Sequence, residues 1–248
     1  MSFNPARYNL PILKRLVPSF GKLVARMTWP NGFALKPSRG SVFLLHYRNF
    51  VDRQIAFYDD FEREQLDYFL GEMAKAPGGI FLDVGANIGY YSILVAAKKL
   101  ASRVVAFEPD IRNRYQLEAN ILLNGLVGKI EIVDKAVSEK TGTISFLHYD
   151  ESVTGQSRVG VGENAVELPC VALDEFLPLR DENLFLKIDI EGHEATAIAG
   201  MKQLLAGNRV FIQVECFDEN FEVFSREMAA MGLHLAHAIG NDRYFSNR

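Results

Sequence analysis

Apolar positions along this chain change their period several times, and each change marks an element. From Phe61 to Ala76 the apolar residues Phe61, Leu66, Phe69, Leu70 and Met73 recur at helical spacing, and Pro77-Gly78-Gly79 predicts the stop. Beyond that point short apolar runs alternate with longer amphipathic ones. They predict strands at 80–84, 103–108, 129–136, 184–189 and 209–215, with helices at 88–100, 111–124, 193–206 and 219–231. Two closing strands are expected around 233–239 and 242–246. Strands alternating with helices of ten or more residues specify an α/β fold with a doubly wound, mostly parallel sheet, here of seven strands. Right-handed crossovers then bring the strand C-terminal ends, with Asp83, Glu108, Asp134, Asp189 and Glu215, to one edge, where open α/β sheets bind ligands.

Two regions break this rhythm. Residues 1–54 read as a small N-terminal extension ahead of the main domain at 55–248. Its first 30 residues form short helical pieces punctuated by Pro5, Pro11, Pro18 and Pro30, and strand-like runs follow at 41–48 and 53–58. The second region, 137–172, contains strand candidates at 142–149 and 166–172 that predict a β-hairpin insert. The Gly-, Ser- and Val-rich stretch from Asp150 to Asn164 joins them, and it reads as a lid over the site or as a surface loop.

Composition changes the picture little; charge changes it more. Hydrophobic residues at 48% and charged residues at 23% describe an ordinary globular chain of 248 residues, long enough to bury a full core. Cys170 and Cys216 fit neither a metal-ligand spacing nor a disulfide framework, so free thiols and a cytoplasmic setting are expected. The first 51 residues carry eight Lys/Arg and no acid, so with −4 overall the remaining 197 carry −12. Such a basic arm suits a membrane surface, an acidic partner or its own acidic body. The apolar stretches near the start are cut by Lys14, Arg15, Pro18 and Lys22, far short of the ~20 apolar residues a transmembrane segment needs. The acidic body and the lack of a basic-aromatic groove pattern argue against a nucleic-acid partner.

Candidate chemistry concentrates at Phe81-Leu82-Asp83-Val84-Gly85-Ala86-Asn87-Ile88-Gly89-Tyr90-Tyr91-Ser92. A buried strand ends on an acid and a Gly-x-x-x-Gly turn opens a helix, the pattern of a nucleotide-cofactor site. Glu108, in Phe107-Glu108-Pro109, stands where an acid accepts hydrogen bonds from the ribose hydroxyls of an adenosine cofactor. That ribose is common to NAD and S-adenosylmethionine, so Glu108 does not separate them. The turn does: a dinucleotide needs a glycine for close approach to its pyrophosphate, and Asn87 stands at that place. S-adenosylmethionine has no phosphate. Its carboxylate suits Asn87 and the helix N–H groups, and its ammonium suits Asp83.

The run Asp83 to Ser92 resembles the first motif of class I methyltransferases in its FkbM-family form. Phe107-Glu108-Pro109, Asn120 to Asn124, Lys135 to Ser138, Leu173-Asp174-Glu175 and Leu186 to Glu194 resemble further motifs of that family in order and spacing, covering about residues 55–216. The resemblance implies methyl transfer from S-adenosyl-L-methionine, usually to a hydroxyl of a small molecule, a sugar or glycan, or a polyketide-type product. By residue it implies that Asp83, Gly85, Asn87 and Gly89 hold the methionine end, with Ala86 and Tyr90 beside them. Glu108 and Pro109 would border the ribose, and Asp134 or the Lys135-Ala136 backbone the adenine. From the family's chain order, Tyr58 with Asp59 and Asp60 would close over the cofactor.

An alcohol acceptor has a proton to lose, so a base in reach helps. Asp189, Glu191 and His193 follow the fourth strand, where a base would face the methyl, and Lys187 shares a strand face with Asp189. Each also has a structural reading: Asp189 as a helix cap, Glu191 as a charge favouring a helix N-terminus, His193 as a bystander. Asp189 or Glu191 with Glu215 and Asp218 could ligate Mg²⁺, but no distinctive ligand spacing is present and no metal is assigned. His46, His148, His234 and His237 read as structural or surface residues, and Phe217, Phe221 and Phe224 as core. The alternatives to a methyltransferase of small acceptors are an NAD-dependent oxidoreductase and an RNA methyltransferase.

Overall fold

A computed structural model describes residues 24–58, 61–147, 158–160, 165–217 and 221–248. Outside these residues lie the helical pieces expected before residue 24, with Arg7, Lys14, Arg15 and Lys22 of the basic arm. So do Asp59 and Asp60, His148, most of the insert's connecting stretch, and Asp218.

The chain enters through a hairpin of β1 (Phe33–Ser38) and β2 (Ser41–His46), turning at Arg39 and Gly40 with φ of 51° and 87°. Two consecutive positive φ values match the right-handed twist of the flanking strands. Helices α1 (Phe50–Tyr58) and α2 (Arg63–Lys75) follow. The main body then runs β3 (Gly79–Val84), α3 (Tyr90–Ala97), β4 (Ala101–Phe107), α4 (Ile111–Leu123) and β5 (Ile130–Val133). Next come β6 (Ala136–Val137), β7 (Gly142–Leu147), β8 (Arg158–Val159), β9 (Ala165–Val171) and the short α5 (Leu173–Phe176). The chain closes with β10 (Asn183–Ile188), α6 (Glu194–Ala199), α7 (Lys202–Ala206), β11 (Arg209–Glu215), α8 (Phe221–Ala230), β12 (His234–Ile239) and β13 (Asp242–Ser246).

Seven strands form the main sheet in the order β12-β13-β11-β10-β3-β4-β5. The five from β11 to β5 are parallel, and β13 and β12 run antiparallel at one side, so the expected seven-stranded, mostly parallel α/β sheet is present. Alternation along the strands builds two core layers. Ile80, Leu82 and Val84 join the even positions of β10 and β11 against α6, α7 and α8. Phe81, Phe185 and Phe211 turn the other way, against α2, α3, α4 and the N-terminal hairpin. Phe69 of α2 is fully buried there, its ring 5.5 Å from Phe81 and 5.8 Å from Phe211. Burying such a side chain contributes about 1.5–3 kcal/mol.

The hairpin is fastened to this second layer. Phe43 and Leu45 are fully buried, Leu44 N–H donates to Asn120 Oδ1 (2.6 Å), and Asn124 exchanges two hydrogen bonds with Val42. Residue 54, the expected end of the extension, lies inside α1, so no break in conformation marks it.

Several expected elements differ in kind or length. Residues 53–58, read as a strand from their aromatic and β-branched content, belong to helix α1. Ile55 and Asp52 are buried there, and Asp52 accepts from His46 N and Gln116 Nε2, both at 2.6 Å. Helix 193–206 divides into α6 and α7 at Gly200, where a Cβ would come within 2.1 Å of the Ser138 carbonyl oxygen. Strand 129–136 splits because Ala136 leaves β5 to pair with Cys170 in a second sheet, ordered β6-β9-β7-β8. Within that sheet β7 and β9 form the expected antiparallel insert. Cys170 and Cys216 are both buried free thiols.

Candidate active site

The turn after β3 is built from three left-handed residues, Gly85 (φ 85°), Asn87 (φ 52°) and Gly89 (φ 83°). Gly85 and Ala86 N–H both donate to the Phe107 carbonyl at 3.0 Å, and Gly89 N–H donates to the Ala86 carbonyl at 2.8 Å. The two glycines serve different contacts. A Cβ on Gly85 would stand 2.0 Å from the Asp189 carbonyl oxygen, so Gly85 lets the β3 and β10 loops touch. A Cβ on Gly89 would stand 2.2 Å from Leu117, so Gly89 lets α3 approach α4. Asn120 holds the turn from below, its Nδ2 donating to the Ile88 carbonyl at 3.0 Å.

A cavity of about 350 Å³ opens at the strand C-terminal ends over this turn, in the size range of small-molecule sites. Of the expected cofactor residues, Asp83, Gly85, Ala86, Asn87, Tyr90, Glu108, Pro109, Lys135 and Ala136 line it, and so do Lys187, Asp189, Glu191 and His193 of the acceptor side. Two expected residues do not. Gly89 faces Leu117 instead, and Asp134 borders a separate shallow groove with Ile111, Arg114, Leu168 and Pro169. The chain turns at Asp134 from one sheet to the other, which aims Lys135 and Ala136 inward and its own side chain away.

Glu108 is buried, and each of its oxygens accepts a backbone hydrogen bond: Oε2 from Asn87 N–H (2.7 Å) and Oε1 from Asp110 N–H (2.8 Å). Burial pushes its carboxyl up to about 7 against those donors. The N–H groups of Gly85 and Ala86 are taken by the Phe107 carbonyl, that of Asn87 by Glu108, and that of Gly89 by the Ala86 carbonyl. Asp83 Oδ2 accepts from Ser92 N–H (3.1 Å) and Oγ (2.6 Å), tying the strand to the first turn of α3. Burial raises its carboxyl, with Lys187 and Ser92 opposing.

Lys187 pairs in register with Asp83 across β10 and β3, and both are buried. Its Nζ donates to Asp189 Oδ2 at 2.9 Å, lies 4.0 Å from Glu62 Oε2 and sits 4.8 Å over the Tyr91 ring. Burial pulls this ammonium down, but Asp189, Glu62 and Asp83 together hold it well above the ordinary lysine value. Asp189 does not take the cap position of α6. Glu194 fills the local role, its Oε1 accepting from Ile190 and Gly192 N–H. Glu191 is exposed at the cavity wall in a left-handed conformation (φ 55°). His193 Nε2 lies 3.1 Å from Ser138 Oγ, and burial lowers its imidazole. Glu215 also lines the cavity, pushed up to about 7 by burial and by Asp189, Glu191, Glu194 and Asp242.

Sequence reasoning missed several lining residues. Glu62 and Phe61 arrive from the start of α2, Phe50 and Val51 from α1, and Phe146 and Val159 from the insert. The insert pair places part of the expected lid at the cavity. Phe217, expected in the core, is half exposed and lines the cavity, whereas Phe224 is buried and Phe221 packs at the edge of the core. His46 packs at a tilt against the Phe33 and Tyr47 rings, and His237 against Tyr68. Among the described residues no group of three or more His, Cys, Asp or Glu side chains is arranged to hold a metal ion, and no helix is long and apolar enough to cross a membrane.

The sheet order, the acid-ended strands and the glycine turn define a Rossmann-like fold of the class I methyltransferase type. A profile of the methyltransferase FkbM domain matches residues 83–237, and the chain belongs to that family. Hexuronic acid methyltransferase AglP of Haloferax volcanii is 26% identical over 138 residues, covering 54% of this chain and 55% of AglP. Methyltransferase sdnD of Sordaria araneosa is 26% identical over 166 residues, covering 53% of this chain and 64% of sdnD. A 73-residue stretch is 38% identical to AMB antimetabolite synthetase AmbE of Pseudomonas aeruginosa, 29% of this chain and 3% of AmbE. The chain thus spans less than two thirds of each of these curated relatives. Among solved structures, methyltransferase FkbM from Methylobacillus flagellatus KT is similar in fold at TM-score 0.50 and 16% identity, over 68% of this chain and 43% of that one.

Proposed function

We propose that the protein transfers a methyl group from S-adenosyl-L-methionine to a hydroxyl of a small-molecule or glycan acceptor. The charge of the cavity carries this reading. Its wall holds six acidic side chains, Glu62, Asp83, Glu108, Asp189, Glu191 and Glu215, against Lys135 and Lys187. A donor with a sulfonium and an ammonium suits such a wall. A dinucleotide pyrophosphate does not, and the N–H groups of Gly85, Ala86 and Asn87 are already bonded to Phe107 and Glu108. The same wall disfavours the phosphates of an RNA acceptor.

In this reading the donor supplies an activated methyl on a positively charged sulfur. Glu108 beside Asn87 borders the ribose, Asp83 and the Asn87 side chain the methionine end, and Pro109, Lys135 and Ala136 the adenine. Lys187 fixes Asp189 by their 2.9 Å contact, and the pair orients the acceptor at the far side of the cavity, with Glu191 and His193 at the wall. Phe146, Val159 and Phe217 exclude water, which favours alignment of acceptor, methyl and sulfur.

Titration calorimetry with S-adenosylmethionine, S-adenosylhomocysteine and NAD tests the donor, and a labelled-methyl screen over neutral sugars, glycans and other hydroxylated metabolites tests the acceptor. Binding of the first two with no NAD binding is expected. NAD binding with neither adenosyl sulfur compound bound overturns the reading. Asp189→Asn should lower turnover more than donor affinity.

A further inference from the structure

We propose that Glu62 is the base that receives the acceptor's hydroxyl proton. This rests on the methyl-donor reading above and deepens it. Glu62 precedes α2 in a left-handed backbone conformation, φ 44° and ψ 40°, uncommon for a residue with a long side chain. Its side chain lines the cavity beside Lys187 and Asp189. Its Oε2 is sealed from solvent yet accepts no hydrogen bond. A buried carboxylate oxygen without a donor is costly, and structures that keep one need a reason for it. The carboxyl as a whole lines the cavity, so an acceptor hydroxyl there can donate to it.

Asp189 is the other candidate and is less available. Its Oδ2 already accepts from Lys187 at 2.9 Å, whereas Glu62 Oε2 stands 4.0 Å from the same ammonium. The groups facing Glu62 are Lys187 and Asp189 from β10 and its end, Asp242 and Tyr244 from β13, and Tyr91 of α3, whose hydroxyl donates a hydrogen bond to the Glu62 carboxyl. Burial dominates them and pushes the Glu62 carboxyl up to about 7, near the optimum for a base working at neutral pH. The step balances. The acceptor O–H bond breaks and its proton passes to the Glu62 carboxylate, while an oxygen lone pair forms the new C–O bond. The C–S bond breaks with its pair staying on sulfur, which leaves as a neutral thioether, and Glu62 then returns the proton to solvent.

Sinefungin carries an ammonium where the donor carries its sulfur-bound methyl, so its affinity relative to S-adenosylhomocysteine reports the charge facing the methyl. Calorimetry on the full chain from pH 6 to 8.5 should show this ratio rising through pH ~7 as Glu62 ionises. Glu62→Gln should cut sinefungin affinity about fivefold or more at pH 8 and leave S-adenosylhomocysteine within about twofold. Glu215→Gln is the control for a second cavity carboxyl raised to about 7, and should leave the pH step in place. For any acceptor found in the labelled-methyl screen, Glu62→Gln should lower kcat about 100-fold or more, with KM nearly unchanged. A ratio flat with pH, or one equal in Glu62→Gln and wild type, overturns the role of Glu62 while leaving the donor reading intact. The flat profile decides even where the variant fails to fold. Failure of wild type to bind either adenosyl ligand overturns the donor reading, and this inference with it.

Discussion

Gly85→Ala isolates the closest contact in the site. The new methyl meets the Asp189 carbonyl oxygen at 2.0 Å and Ile190 Cγ2 at 3.0 Å. That carbonyl has little room to move, because Asp189 N–H donates to Val84 O at 3.1 Å across the β3–β10 pair. The backbone also sits at φ 85°, which costs an alanine about 1–2 kcal/mol. Overpacking against fixed backbone adds about 1–3 kcal/mol, for a total of about 2–5 kcal/mol. Gly78→Ala is the control. Its φ is 89°, nothing lies within 4 Å of its Cβ position, and it pays only the conformational part. At about 2–4 °C per kcal/mol for a chain of this size, Gly85→Ala should melt about 4–20 °C below wild type and Gly78→Ala about 2–8 °C below. Calorimetry should show S-adenosylhomocysteine affinity falling at least about tenfold in the first and holding in the second, because only the first spreads the two loops that form the cavity floor. Equal melting points with equal affinities would refute the claim that this glycine exists for close approach.

Four further outcomes follow from buried polar groups. Asn120→Ala strands the Leu44 N–H and the Ile88 carbonyl, so urea denaturation should show a loss of about 2–4 kcal/mol; under about 1 kcal/mol would mean the hairpin and turn are held otherwise. Burial raises Asp52 from 3.8 to about 6, so the folded state binds the extra proton and stability from this group falls as pH rises from about 4 to 6. That fall, about 3 kcal/mol at most, should be absent from Asp52→Asn in denaturation series across that window. Glu108→Ala removes the acceptor for two backbone N–H groups and the expected ribose partner, and should weaken S-adenosylhomocysteine about tenfold or more in calorimetry; unchanged affinity removes the ribose role. Lys187→Met leaves Asp83, Asp189 and Glu62 without their shared cation, and should cost about 3–5 kcal/mol at pH 8 and less at pH 6, where the carboxyls take up protons; a loss equal at both pH values contradicts this.

What the sequence made legible was whatever depends on neighbours in the chain. The turn 85–89, the acids closing β3 and β4, and the Lys187–Asp189 spacing are local patterns with a mechanical meaning, and all but Gly89 reach the cavity. Gly89 keeps its left-handed φ but uses it for helix packing, a distinction that only the position of Leu117 reveals. Glu62, Phe146 and Val159 come from elements outside the βα repeat, and nothing in a charged run or a hairpin strand tells which side chain will face a cleft. Residues 53–58 failed for a different reason. Ile, Phe and Tyr favour strands in isolation, but the preceding Asp52 finds His46 N and Gln116 only when the segment coils, and tertiary hydrogen bonds outweigh a weak propensity.

The sheet register explains how so much charge survives beneath the cavity. Asp83, Lys187, Gln213 and Tyr244 are direct partners across β3, β10, β11 and β13, one polar row on a face whose next row is Phe81, Phe185 and Phe211. Gln213 Nε2 reaches Tyr91 Oη (3.3 Å) and Asp242 Oδ1 (2.9 Å), so the row is tied to α3 above and to β13 beside it. Because strand side chains alternate with a period of two, slipping β10 by one residue would drive Lys187 into the all-apolar layer beneath α6 and α7 and lift Leu186 or Ile188 into the charged row. The ion cluster that charges the cavity therefore also fixes the pairing of the central strands. Correct pairing and a charged cavity floor are one structural requirement, which is why its lysine is both buried and paired with acids on β3, on the loop after β10 and at the start of α2.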